Sequence, residues 1–432
     1  MKNRISELLE RKPVFLIIWA IVAAFGTYFC TYALRKPFST GQFLNLELFG
    51  VSYKTVLIIA QVFGYMCSKF LGIKIVSELR AEHRIKLIAG LIIIAELALV
   101  GFSVVPLSYK WIFLIINGLP LGMVWGLIFS FLEGRKFTEL LGLGLSVNMI
   151  MTSGILKSFY LTLQRQFHFS EFQMPFIIGL IALPFFAVFL WMLSRIPVPN
   201  QEDVSLRSKR KPMNKFQKMN VLYHYGLGIF MLIISYTIFT TIRDFRDNFA
   251  VEIWNEIDPL HDLAVFGKIE TFIALIVMGI IATLVFIKDN EKAYFLISGL
   301  MFAGILMGGI ATSMFVNHQI GVYPWMVLLG VGLFFPYLLI QIAVFERLIG
   351  LFKLKANAGF LVYLCDSLGY LGSVAVLLMK EFFWADLSWA NVLIKFAMGS
   401  SVLGALLIAL QFLFFVRKLN EKRGKDLQLV VK

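Results

Sequence analysis

The sequence predicts an all-α membrane protein of twelve transmembrane helices, arranged in two pseudo-symmetric bundles of six helices. The prediction rests on an apolar composition, on apolar stretches of membrane-spanning length, and on a basic linker that divides these stretches six and six. Of the 432 residues, 59% are hydrophobic and 15% are charged, and the mean hydropathy is +0.81. A soluble domain of this length needs more polar surface than such a composition provides. The apolar side chains are therefore expected to face lipid.

The apolar stretches have the length of transmembrane helices. About 20 residues cross the hydrocarbon core as a helix, and a helix satisfies the backbone polar groups that find no water there. Pro120, Pro184 and Pro336 lie inside these stretches, where membrane helices tolerate proline and can be kinked by it. The predicted spans are 14–34, 53–74, 85–105, 110–132, 139–163, 172–195, 221–242, 264–287, 293–315, 323–345, 356–380 and 390–416.

The distribution of basic residues predicts the orientation of the chain. With a cytoplasmic N-terminus, most of the 40 lysines and arginines fall in cytoplasmic segments, which is the bias of the positive-inside rule. Both termini are therefore predicted to be cytoplasmic, with the protein in the inner (plasma) membrane. Topology accounts for the net charge of +14, so these residues are expected to meet lipid head groups and no nucleic acid.

A polar, basic segment separates the sixth span from the seventh. Residues 196–220 read IPVPNQEDVSLRSKRKPMNKFQKMN, and about 25 residues bury too little apolar surface to fold as a domain of their own. We therefore predict an N-terminal six-helix bundle over 1–195, a cytoplasmic basic linker over 196–220, and a C-terminal six-helix bundle over 221–432.

The ends of the first and seventh spans resemble each other. The first span ends in TYFCTYALRKPF and the seventh in SYTIFTTIRDF, so Tyr28 precedes Arg35 by the same distance as Tyr236 precedes Arg243. This distance is about two turns of a helix, so each tyrosine and arginine are expected on one helix face. Internal repeats of this kind are common in transporters.

Short motifs carry a resemblance to a known family. They are Tyr32–Phe38 (YALRKPF) in the first span, Ser68–Gly72 (SKFLG) in the second, Gly122–Trp125 (GMVW) in the fourth, and Ala358–Phe360 and Gly369–Gly372 in the eleventh. They resemble the organophosphate:phosphate antiporters of the major facilitator superfamily, which include the glycerol-3-phosphate and hexose-phosphate exchangers. The resemblance implies the major facilitator fold, alternating access, and one arginine from each half on the phosphate.

The sequence departs from this family at three places, one of which is a longer stretch between Gly359 and Gly369. Met151 stands where the family has a histidine near the substrate on the fifth span, and Lys157 follows about two turns later. Ser77-Glu78-Leu79-Arg80 stands where the superfamily has an Asp-Arg pair after the second span. These departures leave the substrate and the mode of coupling open.

Cationic side chains are the strongest candidates for binding a substrate. A guanidinium is always charged, and its planar fork suits phosphate oxygens. The same arginines and lysines could instead be interfacial anchors whose charged ends reach the membrane surface. The candidate substrate-binding residues are Arg35, Arg243, Tyr28, Tyr236, Lys69 and Lys157.

Acidic residues within the spans are candidates for coupling. Glu96 and Asp366 are intramembrane carboxyl groups, which are costly and usually face a cavity or a partner. Each could relay protons or form a structural hydrogen bond in its protonated form. Charged pairs follow the fourth and tenth spans and are predicted to take part in gating more than in substrate binding. These pairs are Glu133 with Arg135, and Glu346 with Arg347.

The residues predict a secondary active transporter and no enzyme, metal site or cofactor. The leading hypothesis is alternating-access transport of a small organic anion, specifically an organophosphate, in exchange for phosphate, by a chain that works as a monomer. Proton-coupled uptake of a sugar or peptide fragment through Glu96 or Asp366 is the alternative within transport. A solute sensor with a transporter fold and a lipid flippase remain open as other classes of function.

Overall fold

The computed structural model describes residues 4–78, 81–132, 138–198, 215–284, 286–353 and 358–430. These residues are almost entirely helical, and one two-residue hairpin pairs Glu47–Leu48 with Val51–Ser52. The helices are α1 (Arg4–Arg11), α2 (Pro13–Ala33), α3 (Tyr53–Glu78), α4 (Ala81–Val104), α5 (Lys110–Leu132), α6 (Thr138–Ser146), α7 (Asn148–Phe167), α8 (Met174–Ser194), α9 (Lys215–Asn248), α10 (Ala250–Ile257), α11 (Val265–Leu284), α12 (Asn290–Val316), α13 (Val322–Leu339), α14 (Phe345–Phe352), α15 (Ala358–Phe383) and α16 (Trp389–Val430).

Helices occupy all twelve predicted positions, which confirms the all-α membrane fold class. Nine of the described helical segments are long and apolar enough to cross a membrane. The remaining three predicted positions are the more polar helices α3, α7 and α15, which carry Lys69, Lys157 and Asp366. Because a charged side chain is costly in lipid, helices of this kind are expected to turn their polar residues toward protein.

Two of the predicted spans are interrupted. The fifth is divided into α6 and α7 at Val147, and the tenth widens into a π-helix at Ile340–Val344 before α14 continues it. Pro336 lies one turn before the π-helix. A proline removes one backbone donor and its ring crowds the preceding turn, so an altered hydrogen-bond pattern in this region has a clear cause.

Contacts divide the chain into two compact units. The first consists of Met1–Ser208, Asp247–Met278 and Glu381–Phe383, and the second of Lys209–Arg246, Gly279–Lys380 and Trp384–Lys432. Each unit is described by itself below. The predicted boundary at 196–220 stays a prediction.

Close helix contact in the first unit depends on small residues. A Cβ atom at Gly118 in α5 would lie 2.4 Å from the carbonyl oxygen of Gln61 in α3, and one at Gly122 would lie 2.7 Å from that of Tyr65. Glycines four residues apart let two membrane helices bring their backbones together. This contact fixes the position of α3, which contributes to the candidate site.

Candidate functional site

Arg35 lies directly after the end of α2. The backbone N–H of Arg35 bonds to the carbonyl of Tyr32 at 2.9 Å, and the guanidinium carbon lies 3.9 Å from the ring centre of Tyr65. The amide of Gln61 donates to the carbonyl of Arg35 at 2.9 Å and to Asn117 at 2.8 Å. Buried polar groups of α3 and α5 therefore fix the backbone from which the guanidinium extends.

Lys69 approaches the same aromatic ring as Arg35. Its ammonium group lies 5.6 Å from the ring centre of Tyr65 and 6.0 Å from that of Trp125. The face of an aromatic ring attracts a cation. A guanidinium that stacks on the ring keeps its N–H groups directed outward in its own plane. Two cations near one ring form a positively charged, aromatic cluster in the first unit, which we call the Tyr65 cluster (Arg35, Tyr65, Lys69 and Trp125).

Arg243 has a similar environment in the second unit. Its guanidinium carbon lies 4.0 Å from the ring centre of Tyr337, and Nε and Nη2 donate to one carboxylate oxygen of Asp244 at 3.2 and 2.6 Å. Ser373 donates to the other oxygen of Asp244 at 2.8 Å. The charge of Arg243 is thus balanced by its neighbour in the chain.

The two predicted pairs of tyrosine and arginine differ in their position on the helix. Tyr236 and Arg243 lie on the continuous helix α9. Helix α2 ends at Ala33, and Arg35 lies in the turn that follows, where the N–H of Lys36 bonds to the carbonyl of Tyr32 at 2.9 Å. The shared face expected for Tyr28 and Arg35 stays a prediction. Tyr28 is buried and its ring lies 5.1 Å from that of Tyr32.

Asp366 is joined to Arg243 through two tyrosines. The hydroxyl of Tyr236 donates to the carboxylate of Asp366 at 2.5 Å, and the rings of Tyr236 and Tyr337 are 5.1 Å apart. Because Tyr337 also carries the guanidinium of Arg243, a predicted substrate-binding cation and a predicted coupling acid belong to one buried group. We call this group the Tyr337 cluster (Tyr236, Arg243, Asp244, Tyr337, Asp366).

Lys157 lies in a third cluster, within the first unit. Its ammonium group donates to Ser153 at 2.7 Å and forms an ion pair with Asp247. Lys36 forms an ion pair with the other oxygen of Asp247 and donates to Asn248 at 3.1 Å. The buried Lys157 and the partly buried Lys36 thus share one carboxylate, and Lys157 is an ion-pair partner in this structure.

A second buried ion pair of the first unit was not predicted from the sequence. Lys54, at the start of α3, pairs with Glu252 of α10. Burial raises the pKa of Glu252, while the neighbouring ammonium group of Lys54 acts in the opposite direction. In the sequence Lys54 stands at the start of a predicted span and Glu252 in the segment between the seventh and eighth spans, so nothing local linked them.

Of the remaining predicted coupling and gating residues, those that the structure describes lie outside these clusters. Glu96 is buried in α4, against Gly179 of α8. Glu133 and Arg135 lie outside the described residues. Arg347 donates to Asn290 at 3.3 Å, while Glu346 has an exposed side chain.

Sequence reasoning missed Tyr65 and Tyr337, the aromatic partners of the two arginines. Both lie inside apolar spans, where an aromatic residue is ordinary and carries no signal of its own. A motif that linked each tyrosine to its arginine could not be read, because each pair brings together separate helices. Within the described ranges, no group of three or more histidine, cysteine, aspartate and glutamate side chains has the arrangement of a metal site.

Comparison with known proteins places this architecture in a family. A family model described as a family of unknown function, DUF5690, matches residues 37–418. The chain belongs to this family. No curated protein matches its sequence.

Solved structures identify the fold. The nucleoside transporter NupG aligns with a TM-score of 0.62 and 14% identity over 92% of this chain and 99% of that chain. A bacterial homologue of the human lysosomal transporter Spinster aligns with 0.60 and 12%, over 92% and 97%. A bacterial homologue of the human drug peptide transporters PepT1 and PepT2 aligns with 0.60 and 13%, over 94% and 98%. At these identities the likeness establishes the major facilitator fold and leaves the substrate open.

Proposed function

We propose that this chain is a secondary active transporter for a small organic anion that carries a phosphate group, exchanged for phosphate by alternating access. The observation that carries the proposal is that each unit holds an arginine face-on against a tyrosine, at 3.9 Å for Arg35 and 4.0 Å for Arg243. A stacked guanidinium loses little freedom when its outward N–H groups bind an anion. The resemblance of the short sequence motifs to organophosphate exchangers supports the same substrate class.

The charge of the Tyr65 cluster suits a dianion. Arg35 and Lys69 are both drawn to one ring, and like charges in a medium of low polarity repel. A phosphate group near both would offset this repulsion and accept charge-assisted hydrogen bonds from each. Arg243 donates to Asp244 through one edge of its fork. We therefore propose that an anion uses the other edge or displaces that carboxylate.

The first test is binding of phosphate compounds to the arginine variants. Inorganic phosphate and glycerol-3-phosphate should raise the thermal midpoint of the purified wild type, because a ligand that binds the folded state stabilises it. Arg35→Lys and Arg243→Lys keep the charge and lose the fork. Since a charge-assisted hydrogen bond contributes about 1.5–3 kcal/mol, each should weaken binding by about tenfold or more.

Arg417→Lys is the matched control, because the side chain of Arg417 is 84% exposed. It should bind phosphate as the wild type does. Near-wild-type affinity in both Arg35→Lys and Arg243→Lys would make the arginines membrane anchors and refute the proposal. Absence of stabilisation by either phosphate compound in the wild type would refute the substrate class.

The Tyr337 cluster favours a second candidate function, proton-coupled uptake. Asp366 is buried and accepts a hydrogen bond from the hydroxyl of Tyr236 at 2.5 Å, and the ring of Tyr236 lies 5.1 Å from the Tyr337 ring that carries Arg243. Protonation of Asp366 would change the charge next to a substrate-binding cation, which is what coupling requires.

Asp366→Asn distinguishes the two candidates in proteoliposomes. Exchange predicts that labelled phosphate enters vesicles preloaded with phosphate at a rate close to that of the wild type. It also predicts that an imposed proton gradient adds nothing in either protein. Proton coupling predicts that the gradient drives uptake in the wild type and fails to do so in Asp366→Asn, with counterflow retained. If the gradient drives uptake in the wild type and not in Asp366→Asn, proton coupling replaces exchange as the proposed mechanism.

A further inference from the structure

Glu96 is a buried carboxyl group in the first unit and belongs to none of the three clusters. Its residue is 7% exposed, and both carboxyl oxygens are buried without a hydrogen-bond partner among the described residues. The carboxyl packs directly over Gly179 of α8, where a Cβ atom would lie 2.0 Å from Oε2. A larger residue at position 179 would therefore force the carboxyl of Glu96 to shift.

The helix that Glu96 faces across Gly179 is apolar. Helix α8, MPFIIGLIALPFFAVFLWMLS, contains no titratable side chain. On α4, Ile93 and Val100 are 56% and 40% exposed, and their spacing of three and four residues places them next to Glu96 on the helix surface. In a membrane these side chains face hydrocarbon. The carboxyl thus lies at the edge of the α4–α8 contact, close to the lipid-facing surface.

We propose that Glu96, packed on Gly179, holds a proton within the bilayer, so that its carboxyl group is neutral there and accessible to apolar reagents dissolved in the hydrocarbon phase. An ionised carboxylate in this position would have no hydrogen-bond donor among the described residues, and an intramembrane charge of this kind is costly. A proton is the one ligand that removes the charge without needing space. The site does not depend on which substrate the transporter carries.

A neutral carboxyl in an apolar environment has a characteristic reaction with carbodiimides. The acid transfers its proton to one nitrogen of the carbodiimide, and its oxygen then forms a bond to the central carbon. The product is an O-acylisourea, which rearranges by migration of the acyl group to nitrogen and gives a stable N-acylurea. No group leaves and nothing is oxidised, so the adduct has the summed mass of both reactants.

The test compares two carbodiimides on the wild-type protein in lipid vesicles. Dicyclohexylcarbodiimide dissolves in hydrocarbon, whereas a carbodiimide that carries a tertiary amine stays in water. Peptide mass mapping should find the N-acylurea at Glu96 with the apolar reagent and none with the water-soluble reagent. Labelling of Glu96 by both reagents alike, or by neither, would overturn the proposal.

Two variants test the geometry of the site. Gly179→Ala should displace the carboxyl from its position and change the rate of adduct formation at residue 96. Gly90→Ala should leave the rate unchanged, because a Cβ at this α4 position meets no described atom within 4 Å. Equal rates of adduct formation in the wild type, Gly179→Ala and Gly90→Ala would show that Gly179 does not position the carboxyl group of Glu96. If Gly179→Ala does not fold, the comparison of reagents on the wild type still decides the proposal.

Discussion

At the residue scale, the three clusters differ in how their charges are balanced. Arg243 has a carboxylate beside it in the chain, whereas Lys36 and Lys157 reach one carboxylate from separate elements. Arg35 and Lys69 share an aromatic ring. A buried ion pair is weak evidence for stability, but removing one partner leaves an uncompensated charge. Comparing the loss of stability caused by each single substitution therefore shows which charges depend on one another.

Asp247→Asn should destabilise the protein more than Lys157→Met does. The first change leaves two ammonium groups together without their carboxylate, while the second leaves the pair of Lys36 and Asp247 intact. Loss of one member of a buried pair costs about 3–5 kcal/mol, and we place Asp247→Asn in this range. Thermal unfolding of the two detergent-purified variants measures which of them is less stable.

Asp262→Asn is the control for this series. Asp262 pairs with Lys268 at 2.7 Å, but the two side chains are 58% and 71% exposed, and exposed pairs contribute little. Its thermal midpoint should match that of the wild type. A larger loss in Lys157→Met than in Asp247→Asn would show that the shared carboxylate does not organise this cluster.

At the scale of the helices, α5 sets the position of the Tyr65 cluster by its contact with α3. Gly118 and Gly122 lie against the backbone of Gln61 and Tyr65. Gln61 in turn binds the carbonyl of Arg35. The close packing of α5 on α3 thus helps to hold the guanidinium of Arg35 in place, although the glycines that make this contact carry no charge.

Gly118→Ala should reduce both stability and phosphate binding. Its Cβ would meet Gln61 O at 2.4 Å and Tyr65 N at 2.9 Å, both backbone atoms that cannot rotate away. Overpacking of this kind costs about 1–3 kcal/mol, and the displaced α3 would move Tyr65. Thermal unfolding with and without inorganic phosphate measures both effects.

Gly90→Ala again serves as the control. The position is open, and alanine is the better helix former by up to about 1 kcal/mol, so stability should be unchanged or slightly higher. If Gly118→Ala is as stable as the wild type and binds phosphate equally well, the α3–α5 contact tolerates the added methyl group and does not position the Tyr65 cluster.

At the scale of the whole molecule, the apolar composition and the excess of basic residues have one explanation in a multi-pass membrane protein. The lipid-facing helices account for the hydropathy, and the segments between them carry the charge. The orientation of the chain follows from the positive-inside rule and stays a prediction.

An impermeant thiol reagent tests this orientation in intact cells. Glu256→Cys lies in α10, whose predicted side is external, and should be labelled. Ser208→Cys lies in the predicted cytoplasmic linker and should be labelled only after the membrane is permeabilised. Both variants require the three native cysteines to be replaced first, although Cys30 and Cys365 are buried. The reverse pattern of labelling would invert the topology.

The fold class and the positions of the spans could be predicted from the sequence because they depend on local properties. A stretch of apolar residues long enough to cross the bilayer must form a helix, since its backbone groups have no other partner. The ends of the helices depend on finer balances. For example, helix α2 ends at Ala33, whereas the predicted span runs to Leu34 and the motif YALRKPF continues to Phe38.

Only the tertiary structure decided which charges meet. The sequence marked Arg35, Arg243, Lys157 and Asp366 as notable, because charged residues near or within spans are rare. It did not show that Tyr65 and Tyr337 carry the two guanidinium groups, or that Asp247 joins two lysines. Pairing between residues far apart in the chain depends on how helices pack, and in an apolar interior the nearest partner determines whether a charge is stable.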